Sequence, residues 1–314
     1  MTHSFQRYTA AGNTFVVMNT WEDPLSLSRE GMRVLVQKAC DYKNGIGADG
    51  MILINQSGLA ADFRMDFYNP DGSTGMLCGN GARCAAQAAK DYGFADSDRA
   101  AFEVLGAINT AEFLPNGSIR VYFQDPSVIR LNFELPIEDG QNAMANYIEN
   151  GQNIIASYVD LGSQHVVVFH DAFVGVLDIE EMNIAFFGPL LRWNPEFAPV
   201  GANANFIEVR EDGEEQYLRI RTFERGVEGE TLACGTGCMS AAIVARMTSR
   251  ITKKDDRSSA PIRLLTQSGE FVTVNFSLAG SHVSNLSLEG PVVPGEAGTL
   301  TFQEETQQFD VEYL

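Results

Sequence analysis

Two short segments carry the residue types best suited to chemistry. Cys78-Gly79-Asn80-Gly81 is followed by Ala85, Ala86 and Ala89, and Cys234-Gly235-Thr236-Gly237 by Ala241, Ala242 and Ala245. Both fit C-G-x-G-x-x-x-A-A-x-x-A, 156 positions apart in a chain of 314, the trace that duplication of one domain leaves behind. In each copy the glycines open an alanine-rich helix. Bare backbone N–H groups at such a start, with the positive end of the helix dipole, suit an anion such as a carboxylate. A cysteine at the same spot has its thiolate favoured, with pKa values of roughly 3.5 to 7.5 in such surroundings against about 8.5 for a free thiol. Two thiols around one carboxylate form an acid/base pair. The chemistry that needs them is removal of a proton α to the carboxylate on one face and its return on the other. Either cysteine alone reads equally well as a small apolar residue in a tight glycine turn, and the matched duplication is what favours chemistry. Cys40, Cys84 and Cys238 lie outside the shared register and read as core residues.

The elements that must position these segments are mostly strands. Phe5 to Asn19 reads as two strands about a Gly12-Asn13 turn, and Ser28 to Tyr42 carries apolar residues at helical spacing. Met51 to Ile54 and Asp62 to Tyr68 follow as strands, the second ending in the turn Asn69-Pro70-Asp71-Gly72. Phe102 to Gly106, Ala107 to Leu114 and Ser118 to Phe123 continue the series. More strands occupy roughly 130 to 225 and 262 to the end, interrupted by a helix from Glu180 to Trp193 that breaks near Gly188-Pro189. Residues 252–259 read as a charged surface loop. The two helices that follow the Cys-Gly-x-Gly segments have few charges and no polar face, so each is expected inside a wrapped sheet. The fold class predicted is α+β: two similar domains related by a pseudo-twofold, each a mixed or antiparallel sheet rolled around a central α-helix. The first spans 1–127 and is joined by the last strand at about 302–314, the second spans 128–301, and the site is expected at their junction.

Composition removes several function classes. Lys+Arg 22 against Asp+Glu 41 gives a net charge of −19, a field that repels phosphate backbones and anionic lipid. The five cysteines are too few and odd in number for a disulfide scaffold, no Cys-x-x-Cys exists, and the four histidines are scattered, so no metal site is expected. The N-terminus lacks a basic stretch followed by an apolar core and no segment approaches 18 consecutive apolar residues, which leads us to expect a cytoplasmic protein. Gly45-Ile46-Gly47-Ala48-Asp49-Gly50 is a literal G-x-G-x-x-G, but it follows a helix and precedes a strand, the reverse of a dinucleotide fingerprint. Lys38, Lys43, Lys90, Lys253 and Lys254 sit at expected helix ends or in the charged loop, so none reads as a Schiff-base lysine, and no cofactor is expected.

With their flanks, these residues resemble the diaminopimelate epimerase family. Gly12-Asn13-Thr14-Phe15, Gly45 to Gly50, Tyr68 to Ser73 and Cys78 to Cys84 appear in the family's order. So do Asn203-Ala204-Asn205-Phe206, Glu224-Arg225-Gly226 and Gly229 to Gly237. The resemblance implies a pyridoxal-independent isomerase interconverting LL- and meso-2,6-diaminopimelate, for lysine and peptidoglycan precursors, with Cys78 and Cys234 as the two bases. It further implies that Asn13, Gly79, Asn80, Gly235 and Thr236 hold the reacting carboxylate. The far amino-acid end falls to Asn69, Asn203, Glu224 and Arg225, and the residue types agree: Arg225 can fork a carboxylate and Glu224 can take an ammonium. One element departs. Gly162-Ser163-Gln164-His165 stands where the family usually reads Gly-Asn-Pro-His, so Ser163 and His165 are candidates whose roles the departure leaves open. A related racemase of another amino acid, histidine for example, is the first alternative, and a non-catalytic amino-acid-binding or thiol redox protein the second. The partner expected is a small-molecule amino acid, with no nucleic acid and no membrane, and the sequence leaves room for a homodimer.

Overall fold

A computed structural model describes residues 2–75, 77–96, 98–137, 153–251 and 261–314. The charged loop at 252–259, with Lys253 and Lys254, and residues 138–152 lie outside the described residues. The chain divides into two units, Met1–Tyr122 with Glu289–Leu314, and Phe123–Leu288. The return to the first unit therefore begins at Glu289 and not near 302, because β17 (Val293–Gln303) pairs along most of its length with the first strand.

In the first unit, β1 (Thr2–Ala10) and β2 (Asn13–Asn19) form a hairpin whose two turn residues, Ala11 and Gly12, both have positive φ. A two-residue turn of that hand matches the twist of the strands, so the turn sits one residue earlier than the Gly12-Asn13 reading and Asn13 opens β2. Helix α1 (Arg29–Cys40) is capped by the Ser28 hydroxyl, which accepts from the Gly31 amide. β3 (Gly50–Asn55) lies parallel to β2 and antiparallel to β4 (Phe63–Tyr68). After α2 (Gly79–Asp91) come β5 (Arg99–Val104), β6 (Ala107–Phe113) and β7 (Ile119–Tyr122). Pairing runs β18-β17-β1-β2-β3-β4-β5-β6-β7, where β18 is Gln308–Tyr313, so the C-terminal segment is an edge strand. This mixed sheet curls around α2, which packs against β1, β2, β3, β4, β6 and β7. Ala82, Ala85, Ala86, Ala88 and Ala89 are all fully buried, and such small side chains let strands close around the whole helix. On the other face Leu35, Val36 and Ala39 of α1 cover Val16, Met18, Met51 and Leu53. A strand covered on both faces loses its alternation, which is why Met51-Ile52-Leu53-Ile54 is a continuous apolar run.

The second unit repeats the plan. β8 (Val128–Pro136), β9 (Asn153–Asp160) and β10 (Gln164–Phe169) pair antiparallel, and β10 pairs parallel to β11 (Asn203–Asp212). β12 (Glu215–Glu224) follows antiparallel, carrying β13 (Gly229–Thr231) at one end and β14 (Ile262–Leu265), then β15 (Phe271–Ala279), at the other. β16 (His282–Gly290) leads out of the unit. Helix α4 (Gly235–Met247) packs against β9, β10, β11, β12, β14 and β15, and α3 (Ile184–Arg192) covers the outer face. The break expected at Gly188-Pro189 falls instead before Asn183, whose side chain caps α3 by accepting from Phe186. Pro189 stays inside the helix, and Gly188 is a packing device, since a Cβ there would lie 2.4 Å from the Phe223 ring. The helices α2 and α4 begin and end 156 positions apart, as the repeat requires.

Candidate active site

In the first unit Cys78 caps α2. Its Sγ accepts from the Gly81 amide at 3.5 Å, and the residue is half-buried. Asn80, 2% exposed, belongs to a chain of side chains whose ends fix its direction. Arg83, fully buried, donates from Nη2 to Asn80 Oδ1 at 2.9 Å. Asn80 Nδ2 donates to Asn13 Oδ1 at 2.7 Å, and Asn13 Nδ2 to Asp49 Oδ2 at 3.3 Å. A guanidinium only donates and a carboxylate only accepts, so both amides can face only one way. Asp49 also takes the Thr14 amide at 2.9 Å and the Tyr42 hydroxyl at 2.9 Å. The Gly-x-Gly-x-x-Gly loop thus delivers Asp49 to the start of β2. Asn69 sits in its turn, where Nδ2 donates to Ser73 Oγ at 3.0 Å and its amide to the Ser73 carbonyl at 2.9 Å.

In the second unit Cys234 stands at the N-cap position of α4 without a side-chain cap hydrogen bond, and it is buried. Strand register sets its surroundings. His165 pairs with Asn203 across β10 and β11, and Asn205 pairs with Thr222 across β11 and β12. Thr222 Oγ1 donates to Asn205 Oδ1 at 3.0 Å, and Asn205 Nδ2 lies 3.2 Å from His165 Nδ1. An amide nitrogen can only donate, so Nδ1 accepts and the neutral imidazole carries its proton on Nε2. Nε2 lies 2.9 Å from both Thr236 Oγ1 and Ser163 Oγ. Thr236 Oγ1 in turn is 3.6 Å from Cys234 Sγ. The alignment places the Thr236 hydroxyl where it can donate to Cys234 as a thiolate or accept from it as a thiol. Burial, then Arg225, lowers the His165 pKa to about 3, so the ring stays neutral at ordinary pH. It reaches Cys234 only through Thr236. A Cβ on Gly237 would lie 2.4 Å from Asn205 Oδ1, so only glycine lets the helix start this close to the chain.

Cys234 departs from the low thiol pKa expected at a helix start. Burial, followed by the charge of Glu224, pushes its pKa well above the ordinary value, against the Thr236 hydroxyl and the Gly237 amide. Glu224 is itself raised by burial, although Thr231 Oγ1 donates to its Oε2 at 2.8 Å. A resting Cys234 therefore holds its proton. Asn203 Oδ1 accepts from the Arg225 amide at 2.9 Å, and Arg225 Nη1 donates to Gln164 Oε1 at 2.7 Å. Gly79 and Gly235 are the first residues of their helices. Cys40, Cys84 and Cys238 are buried thiols, and burial raises Cys40 to about 12 and Cys84 further.

Asn205 and Thr222 were missed as site residues. Asn205 had a readable signal, two positions from Asn203 and so on the same strand face. Thr222 had none, because only the pairing of β11 with β12 brings it there.

The sequence pattern of the family described as diaminopimelate epimerase matches residues 5–129 and 157–274. A diaminopimelate epimerase of Aquifex aeolicus is 36% identical over 280 residues, covering 87% of this chain and 90% of that protein. One from Chlorobaculum tepidum is 34% identical, covering 93% and 99%. Among solved structures, a Bacillus anthracis phenazine biosynthesis protein of the PhzF family superposes with a TM-score of 0.69 at 16% identity, covering 96% of this chain and 100% of that one. An Agrobacterium vitis hydroxyproline epimerase with bound trans-4-hydroxy-L-proline gives 0.64 at 13%, covering 95% and 92%. At such identities the structural likeness speaks for the fold alone. The α+β fold, the ordered motifs from Gly12 to Gly237 and the match over most of the sequence agree: the chain belongs to the diaminopimelate epimerase family.

Proposed function

We propose that the protein interconverts LL- and meso-2,6-diaminopimelate by proton transfer at the α-carbon, with Cys78 and Cys234 as the two acid/base groups. The observation that carries this reading is the matched pair of cysteines, each at the N-cap position of a buried helix of the same length at the same place in its unit. The mechanism requires the two thiols to serve opposite faces of one α-carbon, one as thiolate and one as thiol. Burial and Glu224 favour the thiol form of Cys234, which then donates the returning proton in one direction of the reaction, and reversal exchanges the roles of the two cysteines. A thiolate is a weak base for a C–H bond, so the carbanion must be stabilised. The backbone amides of the helix starts, that of Thr236 among them, with Asn13 and Asn80, are assigned as donors for the reacting carboxylate, and exclusion of water would strengthen each of those bonds. Arg225, Asn203, Glu224 and Asn69 are assigned to the far amino-acid end.

Proton NMR in deuterated water with LL-diaminopimelate, beside histidine, lysine, glutamate and proline, tests the reading. Loss of the α-proton signal with appearance of the meso isomer, for diaminopimelate alone, is the expected result. Exchange confined to another amino acid keeps the chemistry and overturns the substrate, and ligand binding without exchange in any sample overturns the enzyme.

A further inference from the structure

Gln164 replaces the turn-fixing proline of the usual motif, and its two ends reach the same neighbour by different routes. Its main-chain carbonyl accepts from Asn203 Nδ2 at 2.9 Å, and Asn203 Oδ1 accepts from the Arg225 amide at 2.9 Å. Its side-chain Oε1 accepts from Arg225 Nη1 at 2.7 Å, and its Nε2 donates to Asp160 Oδ2 at 3.3 Å. Gln164, Asn203 and Arg225 thus close a ring that holds Arg225 at both its backbone and its guanidinium, and Asp160 fixes which way the Gln164 amide faces. Among the described residues, the hydrogen bonds of the Arg225 side chain go to Gln164 alone, all through Nη1. The Nε/Nη2 edge, the one that forks a carboxylate in two parallel bonds, is left for a ligand. A neutral amide oxygen also leaves the positive charge of Arg225 in place, where a protein carboxylate would cancel it.

We propose that Gln164 is a positioning and specificity residue, which clamps one arm of Arg225 so that its other edge is preset for the far carboxylate of a dicarboxylic amino acid. This rests on the reading above, that Arg225 grips that end of the substrate. Gln164 does not touch the reacting α-carbon in this scheme, so its effect belongs in binding rather than in proton transfer.

The test is steady-state epimerisation of LL-diaminopimelate by the wild type, Q164A and Q164E. Q164A is expected to raise KM about tenfold with kcat within about twofold, the factor that one charge-assisted hydrogen bond supplies. Q164E keeps the shape but pairs a charge with Arg225, and is expected to raise KM further, again with kcat little changed. An unchanged or lowered KM in Q164A, or kcat falling as far as KM rises in both variants, overturns the proposal while leaving the functional reading intact. A wild type that leaves LL-diaminopimelate unexchanged overturns the functional reading and the proposal with it.

Discussion

The two cysteine-capped helices share a length and a first turn, yet the hydrogen-bond chains at their starts run in opposite senses. At α2 the chain passes from Arg83 through Asn80 and Asn13 to Asp49, and ends on a carboxylate at the start of β2. At α4 it passes from Thr222 through Asn205, His165 and Thr236 and ends on the thiol. A single residue in each motif, Asn80 or Thr236, selects which chain is built. Duplication kept the helix, the glycines and the sulfur, and the second position of the helix diverged. The result is one cysteine beside a rigid pair of amides suited to holding a carboxylate, and another whose proton is tuned by a half-buried acid and a hydroxyl.

If that division is right, T236V should be the most damaging of the neighbour substitutions. It keeps the branched shape and removes the donor to Cys234, so kcat should fall by about a hundredfold, in the range measured for loss of one donor to a developing charge. The smaller D49N change frees the Asn13 amide to turn, and should cost only a few-fold in KM.

His165 offers a test by stability. Its pKa is lowered to about 3 in the folded chain, against about 6.5 when unfolded, so between those values the unfolded state binds more protons. Its contribution is complete above about pH 6.5 and is lost as pH falls, by about 1.4 kcal/mol per pH unit. Urea melts of H165Q should therefore show a shallower loss of stability below pH 6.5 than those of the wild type. Parallel slopes would place the buried cost elsewhere.

Glu224 gives a smaller effect of opposite sign at the thiol. Its negative charge is the second cause of the raised Cys234 pKa, after burial. In a C78A background, E224Q should move the ultraviolet thiolate titration of Cys234 to lower pH. A shift upward would mean that Glu224 acts through structure and not through charge.

Much of this was legible in the residues. The helices showed themselves by the duplicated motif, and the covered strands by apolar runs such as Met51 to Ile54. Three features were not. Pro189 pointed to a break that the Asn183 cap moved upstream, because the close approach of Gly188 to Phe223 depends on tertiary packing. The thiol pKa of Cys234 could not be read from its place on a helix, since burial and a neighbour ten residues away outweigh the dipole. Thr222 entered the site through strand register, which a sequence does not display.

The most direct measurement is transfer of solvent deuterium into each stereoisomer of diaminopimelate by the wild type, C78A and C234A. The two-thiol account predicts incorporation at the α-carbon by the wild type, and loss of interconversion by at least a thousandfold in either variant. Full interconversion by C78A or by C234A would contradict it.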